Sequence, residues 1–375
     1  MNYKAILAFS LTSLAATTAL AQSDRPAELS ALGPVPVPAD NPMTPEKVEL
    51  GKKLFFDPIL SGNNAMPCSA CHLPEAGWAV QDKISFGYPG TTHWRNSQTV
   101  INSAYYGKLF WAGASGSLEH QARSAARGGV AGNGEDDMME ARLAFVPEYR
   151  EAFKTVFGDD WPSVRHAYMA IAAYQRTLVQ TDTPFDNYMN GDDAALSAEA
   201  KRGLDLFTGK AGCVTCHSGP LLSDEKYYNL GVPPYDGWEE DPLAQITFRF
   251  ELFAKGSTEE MYRTTKDDPG LYFRTKQKSD KGKFRTPSLR YTKYTFPYMH
   301  NGMLETLRDV VDFYDAGGGE NEFAANKTSL IQPLGLSDDE KDDLVAFLES
   351  LSGEEMLIET PEIPEMQPLP AAVQN

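Results

Sequence analysis

The sequence predicts a mainly α-helical chain made of two related domains in tandem. Three observations carry the prediction. A five-residue motif, Cys-x-x-Cys-His, occurs as Cys68-Ser69-Ala70-Cys71-His72 and again as Cys213-Val214-Thr215-Cys216-His217. Each copy follows a helix-forming stretch with one signature, Gly51-x-x-Leu54-Phe55 in the first and Gly203-x-x-Leu206-Phe207 in the second. The segments between and after the copies carry apolar residues at helical spacing. A long internal repeat of this kind points to duplicated structural units.

The motif uses all four cysteines of the chain. Its spacing is that of c-type haem attachment: two thiols on one short turn form thioethers, and the histidine after them supplies the proximal iron ligand. Two other readings compete. A thioredoxin-like redox pair needs a βαβ context, and no strand pattern surrounds either copy. Paired C-x-x-C motifs can build a zinc site, but zinc does not call for a histidine directly after the second cysteine, and here that happens twice. The expectation is therefore two cytochrome c-like haem domains carrying two covalently bound haem c groups, attached at Cys68, Cys71, Cys213 and Cys216, with His72 and His217 as proximal ligands.

In chain order, Met1–Ala21 reads as a cleavable signal peptide: Lys4, a short apolar run, then Ala19-Leu20-Ala21 before Gln22. This implies export, to the periplasm in a bacterium. Residues 22–43 are proline-rich and read as an extended N-terminal arm. Thr44-Pro45-Glu46 opens a helix with an N-cap, a proline at the first helical position and an acid in the first turn. The first domain then runs over 44–190. Within it, Ala167, Ala170, Ile171, Tyr174 and Leu178 form one helical stripe. Asn190-Gly191-Asp192-Asp193 breaks the pattern and marks the boundary. The second domain spans 191–353, opening with Ser197 as N-cap. Its stretch 223–283 is proline-rich and charged and reads as a long irregular surface excursion. Ser337-Asp338-Asp339-Glu340 is a capping box that starts a last helix, whose stripe is Leu344, Val345, Leu348 and Leu351. Residues 354–375 read as a loose acidic, proline-rich tail.

Bulk properties exclude some functions. The 375 residues leave room for two domains. The formal net charge of −18 argues against nucleic-acid binding, which needs a basic face. Beyond the leader no stretch has the apolar length to cross a bilayer, so the mature chain is expected to have no membrane span.

Several further segments resemble those of the bacterial di-haem cytochrome c peroxidase family, which includes the MauG-type enzymes. Arg95-Asn96-Ser97-Gln98-Thr99-Val100-Ile101-Asn102 is similar to the family's R-N-S-P-T-V-x-N. Phe110-Trp111-Ala112-Gly113 is similar to F-W-D-G, and Ser117-Leu118-Glu119-His120-Gln121-Ala122 to S-L-E-E-Q-A. Phe284–Arg290 and Pro297–Gly302 match F-K-x-P-S-L-R and P-Y-F-H-D-G. The resemblance extends from Val48 to Gly353.

It implies a calcium ion held by Asn96 and the backbone of Thr295 and Pro297, oxygen donors suited to a hard cation. It implies an electron relay at Trp111. It places a distal glutamate in the altered loop Gly128–Met138, with Glu135 as the choice and Asp136, Asp137 and Glu140 as rivals. Two departures separate the chain from the common peroxidase. Ser85-Phe86-Gly87-Tyr88 has tyrosine where the distal histidine of haem 1 is usual, with His93 nearby at a different offset. Tyr314, seventeen residues after Pro297, stands where a methionine ligand of haem 2 is usual; Met303 is near but out of register. MauG-type enzymes have tyrosine there.

A thioether raises the iron potential, whereas a phenolate stabilises the higher oxidation states. The resemblance thus implies a di-haem oxidoreductase that uses hydrogen peroxide to oxidise a partner at long range, a protein side chain in MauG-like enzymes. One alternative is a cytochrome c peroxidase drawing electrons from a small cytochrome. The other is a non-catalytic di-haem electron carrier.

Overall fold

Two helix crossings organise the chain, and each is made at a glycine. The computed structural model describes residues 25–365; the expected signal peptide lies outside the described residues. The fold is mainly helical: α1 (Pro45–Phe56), α2 (Leu118–Arg127), α3 (Asp136–Ala144), α4 (Pro147–Phe157), α5 (Val164–Gln175), α6 (Pro184–Met189), α7 (Ala198–Thr208), α8 (Pro242–Ala254), α9 (Glu259–Thr264), α10 (Tyr272–Thr275), α11 (Leu307–Asp315) and α12 (Asp338–Ser350). The strands are two short antiparallel pairs, β1 (Phe86–Gly87) with β2 (Thr91–Thr92) and β3 (Tyr227–Tyr228) with β4 (Phe284–Arg285).

The predicted helix starts hold. Thr44 accepts from the Lys47 N–H, and Ser197 from the Ala200 N–H. Ser337 and Glu340 form the full capping box of α12. In the first half α1 packs on α5, and in the second α7 packs on α12. A Cβ on Gly51 would lie 1.9 Å from Ala170 O, and one on Gly203 would lie 2.0 Å from Asp343 O. Only glycine lets the backbones approach so closely. Four residues after each glycine, Phe55 and Phe207 are fully buried, the latter 5.0 Å from the Phe347 ring. The repeated signature thus encodes a crossing point and an aromatic wedge, and each helix precedes a Cys-x-x-Cys-His turn, α7 closely and α1 by a longer loop.

Two apolar clusters follow from this. The first joins Leu50, Leu54, Phe55, Trp78, Tyr149, Phe153, the α5 stripe of Ala167, Ala170, Ile171 and Tyr174, and Leu178 just beyond that helix. The second joins Phe185, Leu204, Phe207, Leu344, Phe347 and Leu351. The chain termini cross between them. Leu29 of the extended arm is buried in the second cluster. Met356, Ile358 and Ile363 pack partly buried against the first.

Two expectations are corrected. The tail beyond residue 353 is not loose where it is described: Trp78 Nε1–H donates to Met356 O at 2.6 Å, and Met356 N–H donates to the Tyr291 hydroxyl at 2.7 Å. Its spaced apolar residues give an extended strand-like segment something to bury. Phe185 and Tyr188 of α6, ahead of the expected boundary at 190, pack in the second cluster. The Asn190-Gly191 signal ends that helix, with Asn190 as its C-cap. Lastly, the 223–283 excursion holds α8, α9 and α10 around a small core of Phe248, Leu252, Met261, Tyr272 and Phe273. Helix α8 buries Ala244, Thr247, Phe248, Glu251 and Leu252. It also exposes Leu243, Ile246, Phe250 and Phe253. With apolar residues on both faces, its period is hidden in the sequence.

No helix among the described residues is long and apolar enough to cross a membrane.

Candidate di-haem site

Each motif closes on itself as a short 3-10 turn. Cys71 and His72 N–H donate to Cys68 O at 3.2 and 3.1 Å, and Cys216 and His217 N–H to Cys213 O at 3.2 and 2.9 Å. No disulfide joins the four thiols. Burial pushes Cys68 and Cys213 each up to about 12 and Cys71 to about 11.

Both turns line one continuous cavity of about 760 Å³. His72 and His217 are directed by carbonyls: His72 Nδ1 lies 3.2 Å from Trp78 O, and His217 Nδ1 lies 2.9 Å from Leu222 O. Burial lowers both imidazoles, His72 to about 4, so the rings are neutral. A carbonyl only accepts, so Nδ1 carries the proton and Nε2 keeps its lone pair for a metal. Two cysteines on a turn, a neutral imidazole with free Nε2 and a large cavity beside them fit a covalently held haem at each motif.

Tyr314, near the end of α11, lines the same cavity, whereas Met303 does not. Burial is the largest cause pushing its hydroxyl pKa upward. A phenolate there needs a cation to offset the lost solvation, which an iron centre supplies.

Tyr88 does not line the cavity; its N–H donates to Val130 O at 3.1 Å. His93 does line it. The His93 ring stacks on Trp94 at 3.9 Å, and its Nδ1 accepts from the Arg95 N–H at 3.2 Å. Burial and then the Arg95 charge pull it down to about 3. The neutral ring so held has its proton on Nε2 and no free lone pair for iron.

Trp111 also lines the cavity. Its indole N–H donates to Asn96 O at 2.8 Å, and its ring meets His300 edge-on at 6.4 Å. Asn96, Thr295 and Pro297 are all on the cavity wall. Asn96 N–H donates to His300 O at 2.8 Å, which ties it to the segment after Pro297, and its Nδ2 donates to Asp82 O at 3.0 Å.

Glu135 is elsewhere. It sits at the N-cap position of α3 with a side chain 72% exposed, 3.7 Å from Arg127. Asp136 pairs with Arg127, Glu140 accepts the Val164 N–H, and neither they nor Asp137 line the cavity. The loop is longer than the pattern it resembles, and Arg127 draws its acids outward. The cavity carboxylates are Asp57 and Glu251. Glu251 lies in the stretch read as irregular. Its sequence signal is a single acid between Phe250 and Leu252, at an inward position of α8.

A mainly helical fold with two histidine-directed attachment turns on one cavity is the arrangement of a di-haem c-type protein. The comparisons agree. Residues 45–194 match the family described as "Di-haem cytochrome c peroxidase". The chain is 60% identical over 345 residues to "Cytochrome-c peroxidase IdrP1" of Denitromonas iodatirespirans, covering 91% of each. It is 36% identical over 331 residues to "Methylamine utilization protein MauG" of Methylorubrum extorquens, covering 88% of this chain and 85% of the relative. A crystal structure of a MauG-like protein associated with microbial copper homeostasis superposes with a TM-score of 0.73 at 32% identity, covering 88% of this chain and 95% of the other. The chain belongs to the di-haem cytochrome c peroxidase/MauG family.

Proposed function

We propose that the chain is a cytochrome c peroxidase: it reduces hydrogen peroxide with electrons drawn from a small protein donor. The observation that carries this is the extent of similarity to relatives named cytochrome-c peroxidase, 60% and 56% identical over nine-tenths or more of each chain. It favours this reading over oxidation of a partner's side chain, which the sequence put first.

When bound, the two haems supply the redox centres. Around them Cys68, Cys71, Cys213 and Cys216 anchor, and His72 and His217 ligate through Nε2. Tyr314 faces the second group, and Trp111 relays electrons across the shared cavity. Asn96, Thr295 and Pro297 hold a calcium ion. We place the mature protein in the periplasm on the strength of the Met1–Ala21 leader. The domain division, at 44–183 and 184–353, rests on the two apolar clusters.

The test is a mixture of peroxide with a reduced small cytochrome. Peroxide-dependent oxidation of the cytochrome, absent without the protein, is the expected result. Turnover of no reduced cytochrome, with covalent oxidation of another protein instead, overturns the reading.

Tyr314 keeps the MauG-like alternative in view, because an anionic ligand disfavours storage of a reducing electron. Tyr314→Met is expected to raise the potential of the second haem, on the order of 0.1 V, since axial ligands set haem potentials over a wide range. Spectroelectrochemical titration reads this directly. An unchanged potential and an unchanged spectrum remove Tyr314 as a ligand.

A further inference from the structure

The cavity wall holds two carboxylates, and their situations differ. Asp57 spends both oxygens, accepting the Ile59 N–H at 2.8 Å and the Tyr149 hydroxyl at 2.7 Å. Glu251 is only 5% exposed, and its Oε2 has no hydrogen-bond partner. The Lys255 ammonium on the same helix stands 3.6 Å away, beyond hydrogen-bonding distance. A buried carboxylate oxygen with no hydrogen-bond donor is costly, and here only the Lys255 ammonium offsets its charge at close range.

Its place in the cavity is on the side of the first motif. Helix α8 packs against β2. That strand lies in the 85–97 segment, whose Phe86 carbonyl is 3.7 Å from Cys71 Sγ. The neighbouring Phe250 ring lies against Gly129, in the loop after α2 that forms the cavity wall. The charged groups facing Glu251 are Lys255 on its own helix, Arg95 on the 85–97 segment and Asp268 on the turn before α10. His93 shares that segment. Arg95 and Asp268 are locked together by two bonds, at 2.5 and 2.9 Å, so neither is free to partner Glu251.

We propose that Glu251 is the proton-exchange residue of the cavity over the first motif, the role that the sequence pattern gave to the loop acid Glu135. Peroxide gives one proton to the carboxylate as it binds. The O–O bond breaks, and Glu251 returns that proton to the departing oxygen, which leaves as water. One peroxide, two electrons from the donor protein and two protons from solvent give two waters. Burial raises the Glu251 pKa, with Lys255 and then Arg95 opposing. This moves it toward the range where a carboxylate both takes and returns a proton near neutrality.

The inference rests on the haem reading of the cavity and not on the identity of the donor. Its test therefore includes a ligand that needs no donor. Hydrogen cyanide must lose its proton to bind ferric haem, so the pH profile of its binding rate reports the cavity base. In the holoprotein, Glu251→Gln is expected to slow cyanide binding about tenfold and erase its acid inflection. The same variant should lower kcat/KM for peroxide about 100-fold, within the usual range for lost acid–base catalysis. Glu251→Asp, which keeps a carboxylate, retains the inflection at reduced rate. Wild-type cyanide profiles in both variants, or loss of the inflection in Glu135→Gln with none in Glu251→Gln, overturn the proposal. Should Glu251→Gln fail to load haem, the Glu251→Asp profile decides: an inflection unmoved in pH and rate overturns it.

Discussion

Arg290→Met is expected to cost about 3–5 kcal/mol of stability, read as a lower urea midpoint of the holoprotein, because breaking a buried ion pair strands the remaining charge. Arg290 and Asp186 are 2.8 Å apart, with both side chains fully buried. The guanidinium also donates to Pro220 O, just past the second motif, and to Ser30 O of the arm. Asp186 in turn accepts the Leu32 N–H and the Thr183 hydroxyl. One residue therefore pins the arm, α6 and the second haem turn together. The double variant Arg290→Met/Asp186→Leu should recover a large part of the loss, since the charge itself is then gone. Equal stability of the single and double variants would show that the lost packing, not the stranded charge, sets the cost.

Gly203→Val should be about as damaging. Its Cβ would sit 2.0 Å from Asp343 O and 2.7 Å from Phe347 Cβ, so α7 and α12 must separate. Overpacking at a helix crossing costs about 3 kcal/mol, and here backbone rather than a pliable side chain is in the way. Because α7 leads directly into Cys213, loading at the second motif should fall first, visible as a haem-to-protein ratio dropping from two toward one. Gly33→Ala is the comparison: nothing lies within 4 Å of its would-be Cβ, and its φ is not in the left-handed region. It should stay within about 0.5 kcal/mol of wild type. A Gly203→Val protein with full loading and unchanged melting would refute the crossing-point account.

These two cases show what the sequence makes legible. The Gly-x-x-Leu-Phe repeat announces duplicated helices, since one signature occurs ahead of both Cys-x-x-Cys-His motifs. Helix starts were readable wherever a capping side chain sits in the local sequence, as at Thr44, Ser197 and Ser337. Position relative to the cavity was less readable. Glu135 was chosen from an altered loop that offers several acids, and Arg127, eight residues earlier, turns them outward. Glu251 comes from the other half of the chain, and only tertiary packing brings α8 to the first motif. Its helix was hidden because Leu243, Ile246, Phe250 and Phe253 face outward while Phe248 and Leu252 face in. The tail was misread for a related reason: isolated apolar residues among acids and prolines reveal nothing until a partner surface exists.

The crossed chain ends have a mechanical meaning. The arm ahead of the first half inserts Leu29 into the second core, and the segment after the second half lays Met356 and Ile358 on the first. Each half is thus clasped by a strap belonging to the other, and neither swings away without peeling a strap from a buried seat. Electron tunnelling falls off exponentially with distance, so a small drift between redox centres changes the rate severalfold. Two straps seated in buried cores oppose drift between the halves, and so oppose variation in the gap that electrons would cross.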